Sequence, residues 1–336
     1  MTNDDAQQSG PPEHRRGPVH VSVLALKRCI ELFLITSSLV AIAAMTAGMF
    51  GRWHYLLDLA SHLRVQATMG LLGAGIGLVL LRRHRVGGIL LVIGGGLLIS
   101  LLPFYWPTDP VTGTTYRLMT ANVLTRNTNH AAVLRVIAET DPDLVVLQET
   151  DAEWTRALEL GLRDSYPFRR LLPREDNFGM SVFSKHRWSK CDVVSFSLET
   201  QLPSVVMDLA LPDGDPIQLI ATHPLPPMRP SNWQDRNRTF DAIAEHVKQQ
   251  GGQRTLVAGD LNCTPWSYWF RRLRKQSGLR NSSNGQGLHS TWNPSSLPLP
   301  GLMIDHVLVG AEIEVARHFV GPDIGSDHRP VIVDFH

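Results

Sequence analysis

Residues 255–262, Thr-Leu-Val-Ala-Gly-Asp-Leu-Asn, decide how most of the chain is read. Thr255 to Ala258 is a short apolar run of the kind that forms a buried strand, and a glycine then releases the chain into two polar residues, Asp260 and Asn262. Residues two apart on extended backbone point the same way, so both side chains reach one ligand if strand geometry continues. Working outward, the same arrangement recurs. Asn122 closes a strand over Leu118 to Val123, Glu149 follows Leu144 to Leu147, and His223 follows Ile217 to Thr222. Asp305 lies inside Ile304 to Val309, and Asp327 with His328 precedes Pro330 to Phe335. One Asp after a strand is ordinarily a turn or cap residue. A whole series of acidic, His and Asn residues at strand ends is not explained by turns.

Further strands are expected at Met180 to Ser184 and Val205 to Leu209, and helices at Asp235 to Gln249 and Tyr268 to Gln276. A helix at Ala131 to Glu139 places Val133, Leu134, Ile137 and Ala138 on one face and is ended by Asp141 and Pro142. Strands alternating with helices make residues 116–336 an α/β unit long enough for one substantial core.

The composition of the whole chain, 336 residues with 43% hydrophobic, 19% charged and a net charge of +1, hides a division. Residues 32–51, 65–81 and 86–108 contain no Asp, Glu, Lys or Arg, whereas residues 115–336 hold 48 of the 63 charged side chains, 23 basic and 25 acidic. The C-terminal part is therefore net −2, which disfavours a polyanion binder, and three cysteines exclude a disulfide scaffold. Cys191 and Cys263 have two readings, a pair in an oxidising compartment or ordinary small buried residues.

Leu32 to Phe50 and Val86 to Trp106 have the length of membrane spans, the second ending in an interfacial belt of Phe104, Tyr105 and Trp106. Val65 to Leu81 is shorter and Gly-rich, and reads either as a re-entrant segment or as a third span that packs closely through its small residues. Arg15, Arg16, Lys27 and Arg28 before the first run, and Arg82, Arg83 and Arg85 between the second and third, predict a cytoplasmic N-terminus and an extracytoplasmic C-terminal part. The expected organisation is a disordered tail over residues 1–20, a membrane region with three transmembrane helices over 21–106, a linker over 107–115 and a catalytic domain over 116–336.

Gly259-Asp260-Leu261-Asn262 and Gly325-Ser326-Asp327-His328-Arg329-Pro330 resemble motifs of the endonuclease/exonuclease/phosphatase superfamily of metal-dependent phosphoesterases. Thr120-Ala121-Asn122, Gln148-Glu149, Thr222-His223-Pro224 and Ile304-Asp305-His306 continue the agreement in order. His223-Pro224-Leu225-Pro226-Pro227 and Asn262-Cys263-Thr264-Pro265-Trp266-Ser267 are similar to a membrane-tethered bacterial subgroup. The resemblance implies a four-layer sandwich of two face-to-face β-sheets flanked by helices, here preceded by an N-terminal transmembrane helical region inferred from hydropathy.

Hydrolysis of a phosphate ester requires charge neutralisation on the phosphoryl oxygens, an activated water and a protonated leaving group. Carboxylates without a Cys or multi-His cluster suit Mg²⁺ or Mn²⁺ rather than zinc, and Glu149 is the leading ligand. The resemblance implies that Asn122 and Asp327 help hold the ion or the phosphate, that Asp260 activates water and that Asn262 orients it. It also implies that His328 contacts the phosphate while held by Asp305, and that His223 bonds a phosphate oxygen or the leaving group. The acid and base among His223, His328 and Asp260 stay unassigned. Arg236 has two readings, contact with an anionic substrate or solvated helix surface. The expected activity is that of a membrane-anchored phosphodiesterase or phosphomonoesterase, with the lipid bilayer and a phosphoester, lipid-linked by preference, as partners. A nuclease, disfavoured by charge, and a degenerate membrane-tethered binding module are the alternatives.

Overall fold

The computed structural model describes residues 18–107, 111–197, 199–212, 216–294 and 300–336. The tail expected over residues 1–20 lies, as far as residue 17, outside the described residues, as do residues 108–110 of the linker. The N-terminal apolar runs form helices α1 (Pro18–Gly48), α2 (Tyr55–Ser61), α3 (Arg64–Leu80) and α4 (His84–Ile99), then a 3-10 turn, Leu102–Phe104. From Ser22 to Gly48 α1 is long and apolar enough to cross a membrane by itself. The expectation of three such helices is corrected. α2 and α3 reach the required length only together, across a 58° bend, and α4 stops after 16 residues because the chain turns at Ser100 into the Pro103-containing 3-10 turn. Small residues let α3 and α4 approach until a Cβ on Gly87 would lie 2.7 Å from the carbonyl oxygen of Gly75.

The first sheet grows from β1 (Tyr116–Asn122) and β2 (Leu144–Gln148), paired in parallel across the helical crossover α5 (His130–Thr140) that a parallel pair requires. After α6 (Ala152–Leu162) come β3 (Phe168–Leu172) and β4 (Met180–Ser184), both on this sheet. The second sheet contains β5 (Trp188–Val194), β6 (Ser204–Leu209) and β7 (Ile217–Ala221), then, beyond α7 (Pro230–Gln249), β8 (Thr255–Asp260). It is completed, after α8 (Tyr268–Ser277), by β9 (Arg280–Asn281) and β10 (Asp305–Val309). The chain then returns to the first sheet as β11 (Val315–Val320) and β12 (Val331–Phe335). The strand orders are β11-β12-β1-β2-β4-β3 and β5-β6-β7-β8-β10-β9.

The inner faces meet in one apolar layer containing Leu118, Val146, Met207, Leu219, Leu256 and Val333. The outer face of the first sheet packs Met119, Val145 and Ile332 against Val133, Ile137 and Trp154, and that of the second packs Ile220, Val257 and Leu308 against Phe240, Val247 and Phe270. This is the four-layer sandwich, with α5 and α6 outside one sheet and α7 and α8 outside the other. Cys191 packs toward the layer between the sheets and Cys263 toward the opposite face of the second sheet, so both are free rather than paired.

Candidate active site

Strand direction explains why the polar residues converge. β1 and β2 run in parallel, as do β7 and β8, whereas β12 is antiparallel to β1 and β10 to β8. The ends of β1, β2, β7 and β8 therefore lie beside the beginnings of β12 and β10. Asp305 sits directly opposite Asp260 in the β10–β8 register. β7 and β8 approach closely within the second sheet at this edge because residue 259 is glycine: at φ +148°, a Cβ there would lie 1.9 Å from the carbonyl oxygen of Thr222, the residue after β7.

His223, Asp260, Asp305 and His328 are all buried. His328 Nδ1 lies 2.9 Å from Asp305 Oδ2, and its Nε2 faces Asp260 Oδ2 at 3.7 Å. His223 Nε2 approaches the same Asp260 oxygen at 3.4 Å, with the Phe178 ring 5.1 Å from its own. Burial pushes the His328 imidazole down, but Asp305 and Asp260 outweigh it and raise its pKa to about 10. Burial likewise pushes the Asp260 carboxyl up, and His328 and His223 overcome it, holding the group below the usual carboxylate range. At neutral pH His328 is an imidazolium beside the ionised Asp260 carboxylate.

Asn122 Nδ2 donates to Glu149 Oε1 at 2.8 Å and to Asp260 Oδ2 at 3.2 Å, while its oxygen accepts from the amide of Leu124. Asn122 thus presents donors to the carboxylates, and in this orientation it tethers Glu149 rather than offering a ligand oxygen. Glu149 also takes the Thr125 amide and adopts φ +63°, backbone strain of a kind that collects at functional sites. Strand geometry does not persist through Asn262, whose φ is +49°. Its amide nevertheless donates to Asp260 Oδ1 at 2.8 Å and its side chain to the Pro224 carbonyl at 3.0 Å, and both residues line the cleft. Asp327 accepts from Trp292 Nε1 at 3.0 Å, and its Oδ1 is buried without a partner.

Asp260, Asp305 and His328 each offer an atom within 4.8 Å of the others, a spacing that a metal ion can bridge. Buried carboxylate oxygens without a partner that suit a hard cation are Asp305 Oδ1 in this group and Asp327 Oδ1 in the cleft that Glu149 also lines.

Arg236 stands away from the cleft, which corrects both of its expected readings. It is fully buried, bonded to Asp58 Oδ2 at 2.6 Å, and its other guanidinium nitrogen reaches the Asn262 carbonyl at 3.2 Å. Asp58, also fully buried, accepts from Ser267 Oγ at 2.7 Å and Trp233 Nε1 at 3.1 Å. The helical region is therefore fastened to the catalytic loop. His62 Nδ1 lies 2.9 Å from Thr264 Oγ1, and Leu101 and Phe104 pack on Trp266 and Met303. Sequence reasoning missed Asp58, Leu59, His62, Phe178 and Trp292. For Asp58 a signal was available, a lone carboxylate between two apolar runs.

Two stacked sheets with carboxylates and imidazoles gathered at one shared edge define the class to which this chain's fold and site belong. Residues 119–328 match the Endonuclease/Exonuclease/phosphatase family, and the chain belongs to it. Members of this family are in general hydrolases of phosphoester bonds. Similar solved structures include the endonuclease/exonuclease/phosphatase from Beutenbergia cavernae, with TM-score 0.56 and 22% identity, covering 67% of this chain and 72% of that one. TDP2 of D. rerio complexed with single strand DNA product has TM-score 0.56 and 16% identity, covering 67% and 100%. The human Nocturnin catalytic domain with bound sulfate has TM-score 0.55 and 17% identity, covering 66% and 94%. These likenesses are of fold. Comparison with curated proteins gives no match.

Proposed function

We propose that this protein is a divalent-metal-dependent phosphoesterase of a membrane-tethered kind, held by α1 and hydrolysing a lipid-linked phosphate ester on the extracytoplasmic side. The observation that carries the reading is the Asp305–His328–Asp260–His223 constellation, opened to a cleft that also holds Glu149 and Asp327. Glu149 and Asp327 would hold the ion, with Mg²⁺ or Mn²⁺ suited to an all-oxygen donor set. When bound, it neutralises charge on the phosphoryl oxygens. The chain's own groups do the rest. The His328 imidazolium, aligned by Asp305, donates to a phosphoryl oxygen whose charge grows in the transition state. Asp260, kept ionised, and Asn262 orient the attacking water toward phosphorus. His223 stands within reach of the leaving oxygen and its proton.

The test is removal of the ion and of its charge partner. Chelator-treated protein should lose phosphoesterase activity and regain it with Mg²⁺ or Mn²⁺. Glu149→Gln, which keeps shape but removes charge, should lower both metal affinity by titration calorimetry and activity, by no less than the roughly 10–100-fold typical when a residue supporting a metal ligand is changed. Activity indifferent to chelation and to Glu149→Gln would refute metal dependence.

A further inference from the structure

The cleft has two halves of opposite character. Its volume is about 560 Å³, within the range that accepts a small organic ligand. Asp260, His223, His328, Glu149 and Asp327 form one part of the lining; Leu59, Leu225, Pro226, Met228, Leu302 and Ile304 form another. Among the described residues lining it there is no Lys or Arg, so a substrate with many phosphates finds no cationic partner beyond the phosphoryl site. The lining is instead matched to one phosphoester attached to something apolar.

Leu59 ties this lining to the N-terminal helices. It belongs to α2, which begins seven residues after α1 ends, and α1 is the helix able to cross a bilayer. Leu56 lies three residues before Leu59, on the same side of α2, and is 56% exposed; Leu63, in the turn between α2 and α3, is 48% exposed. Met228, which also lines the cleft, is 66% exposed. Exposed apolar side chains therefore accompany the apolar lining both on α2 and on the loop that carries Met228.

We propose that α2, with the Leu225–Met228 loop and Leu302, forms a subsite for the apolar chain of an amphiphilic phosphoester. The N-terminal helical region is then a wall of the active site as well as an anchor. This rests on the phosphoesterase reading and names the chemical class of its substrate.

The test uses the full chain in neutral-lipid nanodiscs and p-nitrophenyl phosphodiesters whose second ester is methyl, butyl or octyl. For the unaltered protein, kcat/KM should rise with chain length, by up to about fourfold per methylene while the subsite fills. Leu59→Gln and, independently, Leu302→Gln should flatten that dependence, whereas Leu160→Gln, on an exposed face of α6, should keep it. Binding of methyl, butyl and octyl phosphate, read by tryptophan fluorescence, separates the two readings. Chain-length-dependent binding without turnover of any ester supports the subsite and overturns the phosphoesterase reading. Chain-length dependence that is absent, or equal in Leu59→Gln, Leu302→Gln and the unaltered protein, overturns the subsite, as does preferred cleavage of a single-stranded oligonucleotide.

Discussion

Asp305 and His328 are 23 positions apart, and only closure of the sandwich brings them to 2.9 Å. In the proposed mechanism their joint role is to present an oriented imidazolium, so either loss removes the same interaction. Asp305→Asn should lower kcat more than it raises KM, and His328→Ala should cost at least as much. The double variant should be far from additive, since residues that act as one unit couple strongly. Independent, additive losses in a kinetic cycle would remove the pairing from the mechanism. These two were legible in the sequence because each sits at or just before the start of an apolar run, where a strand leaves one edge of the sandwich. The orientation of Asn122 and the turn at Asn262 were not, because both depend on local backbone conformation that alternation does not encode. Arg236 was misplaced for a different reason: its partner, Asp58, lies 178 positions away in a region read only for hydropathy.

That ion pair acts between elements. Asp58 on α2 gathers Arg236 and Trp233 of α7 and Ser267, the cap of α8, while Arg236 reaches the catalytic Asn262. Removing one member of a buried pair strands the other charge, at about 3–5 kcal/mol. Asp58→Ala should therefore lower the melting temperature in detergent markedly, and Asp58→Asn, which keeps an acceptor for Ser267, should fall less. Equal melting temperatures for Asp58→Ala and the unaltered protein would deny the clamp its energetic role. A second element-level effect concerns β11. His318 is buried between Ser282 and the His289 ring, and burial, reinforced by neighbouring histidines, lowers its pKa to about 3. The neutral ring is favoured in the fold, so stability is fully present above about pH 6.5, where the unfolded residue is also neutral. It declines as pH falls toward 3, by at most about 1.4 kcal/mol per pH unit. The fall in melting temperature between pH 7 and 5 should be smaller in His318→Gln; an undiminished fall would exonerate this residue. The elements hardest to read were β3, β5 and β11, whose charged, half-exposed residues break the apolar pattern because β3, β5 and β11 are edge strands. The buried face of α5 is Ala132, Val133, Val136 and Ile137, rotated from the expected one, which had included the exposed Ala138.

At the scale of the whole molecule, the helices place their ends in two groups. Gly48 packs on Ser61, Arg64 donates to Ser100, and Phe104 meets Trp266, so the end of α1, the start of α3 and the end of α4 all lie beside the catalytic domain. At the other ends, Arg83 in the α3–α4 turn binds Glu31 of α1 at 2.8 Å, with Lys27 beside it. α3 has 17 residues, about 25 Å of helix, which is most of a hydrocarbon core of about 30 Å. α3 and α4 run out and back as a hairpin, so in the proposed arrangement the C-terminal domain lies on the side to which α1 leads. In the orientation proposed above, the positive-inside rule puts the basic cluster of Lys27, Arg28, Arg82, Arg83 and Arg85 at the far ends on the cytoplasmic side. The prediction is read by single-cysteine labelling after Cys29 and Cys191 are replaced, leaving the fully buried Cys263. A membrane-impermeant maleimide should label Leu160→Cys on intact bacterial spheroplasts and leave His84→Cys unlabelled, and inverted vesicles should reverse the pattern. Leu160→Cys labelled only in inverted vesicles would put the active site in the cytoplasm, and the lipid-linked substrate would then have to be met from the inner leaflet.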